Sequence, residues 1–267
     1  MTRRAWLTHL GAVLAYVCIA VAFSWPLVLH LPTHVTGDPG GDTGVYIWNQ
    51  WLFQHEARVG QRNPLSTDRI FSTTGWPVDL TQHNYTLFSN VLALPVLDRL
   101  GVVTTFNLIY LATVVITAWM GFVLARRVTG GATPESWLAG LAFAWSPVLV
   151  ARSTGHFSLV AAAPLAAFLW SLHRLDRSSQ LKDSALAGAS VAWAAACDPY
   201  YAVYCADIAC LFLGSRLLQC HWRPGAKRAP GVWLVDLGIL VLDIVGAAAA
   251  LGRYRLADDA VAVVGIG

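Results

Sequence analysis

The chain has 267 residues, 56% of them hydrophobic and only 12% charged, with a mean hydropathy of +0.54. So apolar a composition excludes a soluble globular domain, and the apolar residues fall in blocks near the roughly 20 residues that a membrane-spanning helix needs. The net charge of +3 is too small to argue for a nucleic-acid partner, and five cysteines without C-x-x-C spacing argue against a disulfide framework or a zinc site.

The first apolar block covers about residues 6 to 29 and follows Arg3 and Arg4, which places its start on the cytoplasmic side. No small-x-small cleavage site follows, so it reads as an uncleaved signal anchor. A polar stretch then runs from about residue 30 to residue 101 as a long external loop. It opens on Thr-Gly-Asp-Pro-Gly-Gly-Asp-Thr-Gly, residues 36–44, where Asp38 and Asp42 stand among glycines that let backbone approach a ligand closely. Residues 43–59 have the period of an amphipathic helix, with Tyr46, Ile47, Trp51 and Leu52 on one stripe. It is too polar to span and is expected to lie along the interface. Residues 87–97 form a second, short apolar segment closed by Asp98 and Arg99, re-entrant or interfacial.

Further spans are expected at about residues 102–124, 137–150, 157–172, 185–196, 200–217 and 232–251. Alternation from a cytoplasmic N-terminus puts three basic connections inside: Arg126 with Arg127, residues 174–182, and residues 216–228. The long loop, the 152–156 turn and the turn at Asp198 then lie outside. The expected fold is all-α, a polytopic transmembrane bundle of about seven spans forming one domain over residues 1–255, with an uninformative tail at 256–267.

This topology gathers Asp38, Asp42, His83, Arg152, His156, Asp198, Tyr200 and Tyr201 at one face, and ionisable groups near a membrane mark a site by default. Asp42 or Asp38 fits a general base taking a proton from a hydroxyl; Asp42 equally fits an N-cap for the helix that follows. His156 suits a phosphate contact or an acid, or else an interfacial side chain bonded to a carbonyl. Arg152 either pairs with a phosphate oxygen or snorkels to headgroups. Asp198-Pro199-Tyr200-Tyr201 breaks a helix at a carboxylate, as a helix cap or as the wall of a cavity. Asp207, Asp236 and Asp243 lie within spans and supply the competing reading, a transporter or flippase. A third reading is a non-catalytic membrane scaffold.

Gly41-Asp42 followed by the helix carrying Tyr46 to Phe53, with Arg152 and His156 between the third and fourth spans, resembles the GT-C class of membrane glycosyltransferases. The Gly-Asp-x-x-x-x-x-Trp48 pattern, Asn63-Pro64, Gly75 and Gly155-His156 look similar to those of several bacterial membrane proteins. The layout resemblance covers about residues 5 to 220. It implies a sugar moved from a polyprenyl-phosphate donor to an acceptor hydroxyl on the external face, with Asp42 as catalytic base. By the same resemblance, Arg152 and His156 contact donor phosphate and acceptor. The bilayer and the lipid-linked sugar are then its partners, and a bacterial inner (plasma) membrane is its place; with no phosphate-cradling or dinucleotide motif in the chain no cofactor is expected, no metal ligands are singled out, and metal dependence stays open. The chain departs from the class in lacking an Asp-Glu pair or Asp-x-Asp in the loop. It also lacks the later spans and soluble domain common there, as a truncated or reduced relative would.

Overall fold

The computed structural model describes residues 3–38, 41–70, 77–80, 86–131, 133–178 and 180–222. It is built almost wholly of helices. Three of them are long and apolar enough to cross a membrane among the described residues: Arg3–Phe23, Val102–Val128 and Phe157–Ser178. The expected last span, with Asp236 and Asp243, and the tail lie outside the described residues, as does His83. The chain divides into two compact units, Met1–Ala163 and Pro164–Gly267.

In the first unit, α1 (Arg3–Phe23) packs against α5 (Val102–Val128) and α6 (Thr133–Ala144). Small residues make this possible. A Cβ on Gly121 would stand 3.1 Å from the Gly140 Cα, and a Cβ on Gly140 would collide with the Ala118 carbonyl and the Tyr16 hydroxyl. Two backbones therefore close on each other at these glycines, the usual way helices gain contact in lipid. Tyr16, fully buried, donates its hydroxyl to the Trp137 carbonyl (2.8 Å) and stacks on that indole. The helix α5 ends where Arg126 and Arg127 meet its C-terminal dipole and Gly130 and Gly131 take φ of +72° and +106°.

The expected third span is not one helix. Pro147 lacks the N–H that would continue α6, so the chain bends at Trp145-Ser146 and restarts as α7 (Pro147–Arg152). The Ser146 hydroxyl accepts from the Leu149 N–H and caps the new helix. The expected fourth span falls in the span-length stretch Phe157–Ser178, which consists of α8 (Phe157–Val160) and α9 (Ala163–Ser178) joined through residues 161–162.

Between α1 and α5, the polar stretch folds into short elements. Its amphipathic segment is α2 (Thr43–Gln54), which continues as a π-helical turn, His55–Gly60. A two-residue antiparallel pair, β1 (Ser66–Thr67) with β2 (Val78–Asp79), follows, then α3 (Leu87–Ala93) and α4 (Leu97–Leu100). Pro95 divides the second apolar segment into these two pieces. Gln54 and Arg58 both donate to the Asp98 carboxylate and tie the end of α2 to α4. Asn107 of α5, fully buried, donates to the carbonyls of Leu31 (2.8 Å) and His34 (2.7 Å), which anchors the chain leaving α1.

The second unit holds α9, α10 (Leu181–Cys197) and α11 (Pro199–Trp222). Ala187, Val191 and Ala194 of α10 and Ala202, Cys205 and Ala209 of α11 are buried at helical spacing. Arg174 and Ser178 of α9 donate to the buried Asp183 at the start of α10, and Arg216 of α11 pairs with Asp176 of α9.

Candidate functional site

The glycine-rich stretch and the turn after α7 lie directly against each other. The Asp38 N–H donates to the Thr154 carbonyl at 2.6 Å. A Cβ on Gly41 would stand 3.1 Å from that same oxygen and 3.2 Å from the Gly155 Cα. Gly37, at φ +115°, would bring a Cβ against the Thr43 hydroxyl and within 3.1 Å of the Thr154 oxygen. Glycine is therefore required at 37 by its dihedral and at 41 by the approach of a second backbone. The turn itself is closed by the Arg152 carbonyl, which accepts from the N–H groups of Gly155 (3.2 Å) and His156 (2.8 Å).

This docking brings two sequence-predicted residues together across 114 positions. His156 Nδ1 lies 3.2 Å from Asp42 Oδ2, with the side chains 51% and 38% exposed. Asp42 occupies the N-cap position of α2, but its carboxylate makes no capping bond to the helix. Its backbone carbonyl accepts instead, from Val45 and Tyr46. The capping role is thus filled by main chain, and the carboxylate is turned to the histidine. Asp38 and Arg152 are exposed at the same loop and turn.

Below the pair, aromatic side chains lock the two segments. Phe157 meets Tyr46, Phe106 and Tyr110 edge-on, with centroids 5.7, 4.9 and 5.5 Å apart. Edge-to-face pairs contribute about 0.5–1.5 kcal/mol each beyond area burial. The Tyr46 hydroxyl is 2.9 Å from the Ser158 hydroxyl in a buried position, and Thr117 of α5 donates to the Val160 carbonyl at 3.2 Å. The stripe read from the sequence as membrane-facing therefore faces protein in part: Tyr46 and Leu52 are buried, while Trp51 is exposed.

A cavity of about 140 Å³ opens beside this arrangement, between the end of α1, α5, α6 and α7. Its walls are apolar, with Ala20, Phe23, Leu111, Val114, Trp145 and Leu149. Thr36, Tyr110 and Ser153 also line it. Thr36 precedes Gly37, and Ser153 precedes Thr154, so these hydroxyls join the cavity to the Asp42–His156 corner.

A second polar constellation was not foreseen as such. Glu56, 1% exposed in the π-helical turn, accepts from Arg69 Nε (3.1 Å) and lies 3.3 Å from Arg62 Nε. Arg69 also meets His55 Nε2 at 2.6 Å and sits over the Trp51 ring. A Cβ on Gly60 would stand 2.9 Å from Glu56 Oε2, so the turn closes tightly over the carboxylate. Arg62 reaches outward to Asp68 at 2.9 Å, and its hydrogen bond and charge hold that carboxyl below its ordinary value. This network folds residues 61–69 back onto the π-helical turn. A π-turn with an apolar-stripe Trp and a lone Glu gives no sequence signal beyond an ordinary solvated face.

In the second unit, Asp198 is buried and accepts from the Tyr200 N–H at 2.8 Å, capping α11; the helix-cap reading of that motif is the one realised locally. Tyr201 is buried and Tyr200 is 55% exposed. Asp207, the carrier residue of the transporter reading that falls among the described residues, is exposed. No group of three or more His, Cys, Asp or Glu among the described residues is placed to hold a metal ion.

A family model for a domain of unknown function, DUF6311, matches residues 12–263. The chain belongs to the DUF6311 family. No curated protein and no solved structure matches it. The match runs through both the glycine-rich stretch and the 152–156 turn, so the corner they form lies within the DUF6311 domain.

Proposed function

We propose that this DUF6311 chain is an integral membrane glycosyltransferase that moves a sugar from a polyprenyl-phosphate donor to an acceptor hydroxyl. The observation that carries the reading is the Asp42–His156 pair, a carboxylate released from its capping duty and set against an imidazole. In the reaction, Asp42 takes the proton of the acceptor hydroxyl as its oxygen bonds to the anomeric carbon. The bond from that carbon to the phosphate oxygen breaks, and the lipid phosphate leaves with the electron pair. Arg152 and His156 stabilise the negative charge that gathers on the leaving group, and His156 Nδ1 also fixes the orientation of the Asp42 carboxylate. Asp38 lies in the same loop as a second carboxylate for the acceptor.

Three span-length helices, the apolar cavity and its hydroxyl-lined end suit a lipid-linked donor, with the prenyl chain among the spans and the sugar phosphate at the corner. The apolar segments at about residues 137–150, 185–196, 200–217 and 232–251 bring the crossings to about seven. The basic residues beside α1 and α5 keep the N-terminus cytoplasmic and the Asp42 corner external, in a bacterial inner membrane.

The test is transfer from labelled lipid-linked sugar in membranes containing the full chain. Asp42→Asn lowers turnover by about 100-fold or more while leaving insertion and yield unchanged, the size expected for loss of a general base. Wild-type turnover by that variant removes Asp42 from the chemistry. Single cysteines at positions 42 and 156 give a test free of substrate. Labelling from opposite sides of the bilayer ends the proposal.

A further inference from the structure

The helix α2 has two unlike faces. Tyr46, Asn49, Gln50 and Phe53 are buried, and the helix packs on α3 and α5. Gly44, Val45 and Trp48 fall on the opposite side at helical spacing, and they line an open groove of about 700 Å³. Arg69, Val78 and Leu80, from the segment of the β1–β2 pair, line it as well. Aliphatic and indole surface makes up most of this lining, and Arg69 is its one ionisable side chain among the described residues. The arginine is fixed by the network around Glu56. Its Nε donates to the buried Glu56 carboxylate at 3.1 Å, its Nη2 donates to His55 Nε2 at 2.6 Å, and the guanidinium lies over the Trp51 ring. Nη1 carries no hydrogen bond to the described residues and is left to donate elsewhere.

We propose that this groove binds the acceptor, and that the acceptor is an amphiphile with an apolar body, a hydroxyl at one end and an anionic group at the other. The role of the hydroxyl rests on the transferase reading; the binding rests on the groove alone. Gly44 stands two residues beyond Asp42, so one end of the groove begins in the first turn of the helix that the reacting carboxylate opens. The guanidinium lies a little over two turns further along, at Trp51 and His55. From Asp42 to Trp51 is nine residues, about 14 Å at the rise of an α-helix, and this sets the distance between the hydroxyl and the anion. The walls between these ends select the body. A glycan laid along Val45, Trp48, Val78 and Leu80 would bury its oxygens without partners, whereas an aliphatic chain gives up nothing there. An apolar pocket with one held polar group fixes orientation as well as affinity. A carboxylate and a phosphate both suit the free arm of Arg69.

The probe is 12-hydroxydodecanoate carrying a mid-chain diazirine, illuminated with the full chain in membranes, and labelled peptides are read by mass spectrometry. The wild type is labelled within residues 43–54 and 77–80. Val45→Asp sets a charge in the apolar wall and lowers that labelling by about tenfold, while labelling of the lipid-facing side of α1 stays within about twofold. The corresponding amide, which lacks the anion, labels the groove about fivefold more weakly than the acid. Groove labelling unchanged in Val45→Asp, or wild-type labelling confined to the spans, overturns the proposal. Equal labelling by acid and amide overturns the part given to Arg69. Should Val45→Asp fail to accumulate, Trp48→Ala removes the indole wall and is read by the same criteria.

In the activity arm, the acid without its diazirine takes labelled sugar at the hydroxyl, and dodecanoate, which has none, competes without accepting. Asp42→Asn removes that transfer and leaves groove labelling within about twofold, since it changes the chemistry and not the groove. If the groove is labelled as expected but the wild type transfers sugar to no acceptor, the transferase reading fails and the amphiphile site stands. If the wild type transfers sugar to an acceptor of its own membrane, and the acid neither labels the groove nor slows that transfer, the groove fails and the transferase reading stands. Transfer that continues undiminished while the acid fills the groove overturns its assignment to the acceptor.

Discussion

Asp42 and Asp183 each face a basic side chain, but the two pairs are built in opposite ways. Asp183 is 1% exposed and accepts from Arg174 Nε and from the Ser178 hydroxyl, partners five and nine residues away in the same helical hairpin. The Ser178 hydrogen bond and the Arg174 charge hold its carboxyl below its ordinary value. Asp42 is 38% exposed, and its histidine comes from 114 residues further on. Burial explains the first pair, because a carboxylate out of water must have its donors. Burial does not explain the second. An exposed pair typically contributes about 0–1 kcal/mol, so the Asp42–His156 contact is a by-product of the framework around it rather than a reason for it. A polar pair that stability does not require, held in place by two glycines, a backbone hydrogen bond and an aromatic cluster, is what a site looks like.

The largest effect separating the two pairs is on folding. Arg174→Ala strands Asp183 with one donor and lowers the thermal midpoint by about 5 °C or more in a unit of this size. Arg174→Lys recovers only part, because a single ammonium does not reproduce the fork. The same pair sets an acid limit. A carboxyl depressed in the folded state contributes stability that is fully present above its unfolded value of about 3.9 and is lost as pH falls through the folded value. Midpoints recorded against pH are therefore flat from neutrality to about pH 4 as far as Asp183 is concerned, and fall below it; Asp183→Asn removes that acid-side slope.

A smaller effect comes from the loop. Gly37→Ala forces a side chain onto a residue at φ +115° and against Thr43, which costs about 1–3 kcal/mol. Here stability and function part: the midpoint drops modestly, and transfer drops far more, because the displaced backbone carries Asp38 and Asp42 away from the turn. Equal losses in both would show that the loop is only a connector.

The two pairs also differ in how visible they are from the sequence. Arg174, Ser178 and Asp183 read only as a basic connection, yet their closeness in the chain makes the pairing almost local. For Asp42, glycines around an acidic residue at the start of an amphipathic run mark the segment, and Gly155-His156 after a Pro-interrupted span marks its partner. Alternating spans give the expectation that the two lie on one side. What the sequence does not carry is the register. Whether Asp42 caps its helix or turns to His156 depends on the Asp38–Thr154 backbone bond and on glycine contacts that appear only when α5, α2 and α8 are packed. Pro147 itself stands in plain view in the expected third span, but apolar length alone runs straight across it.

The smallest expected change is the most informative about that difference. Asp42→Asn and His156→Gln each leave the thermal midpoint within about 1 °C of wild type, because an exposed pair holds almost none of the folding free energy. The double variant behaves like either single one in stability, and it also behaves like either single one in transfer if the two residues act as a unit. A double-variant cycle in kcat/KM then shows strong non-additivity, as groups sharing one catalytic step do, while the cycle in stability shows none. If instead the single losses in turnover multiply, the carboxylate and the imidazole serve separate steps, and the 3.2 Å between them is proximity without partnership.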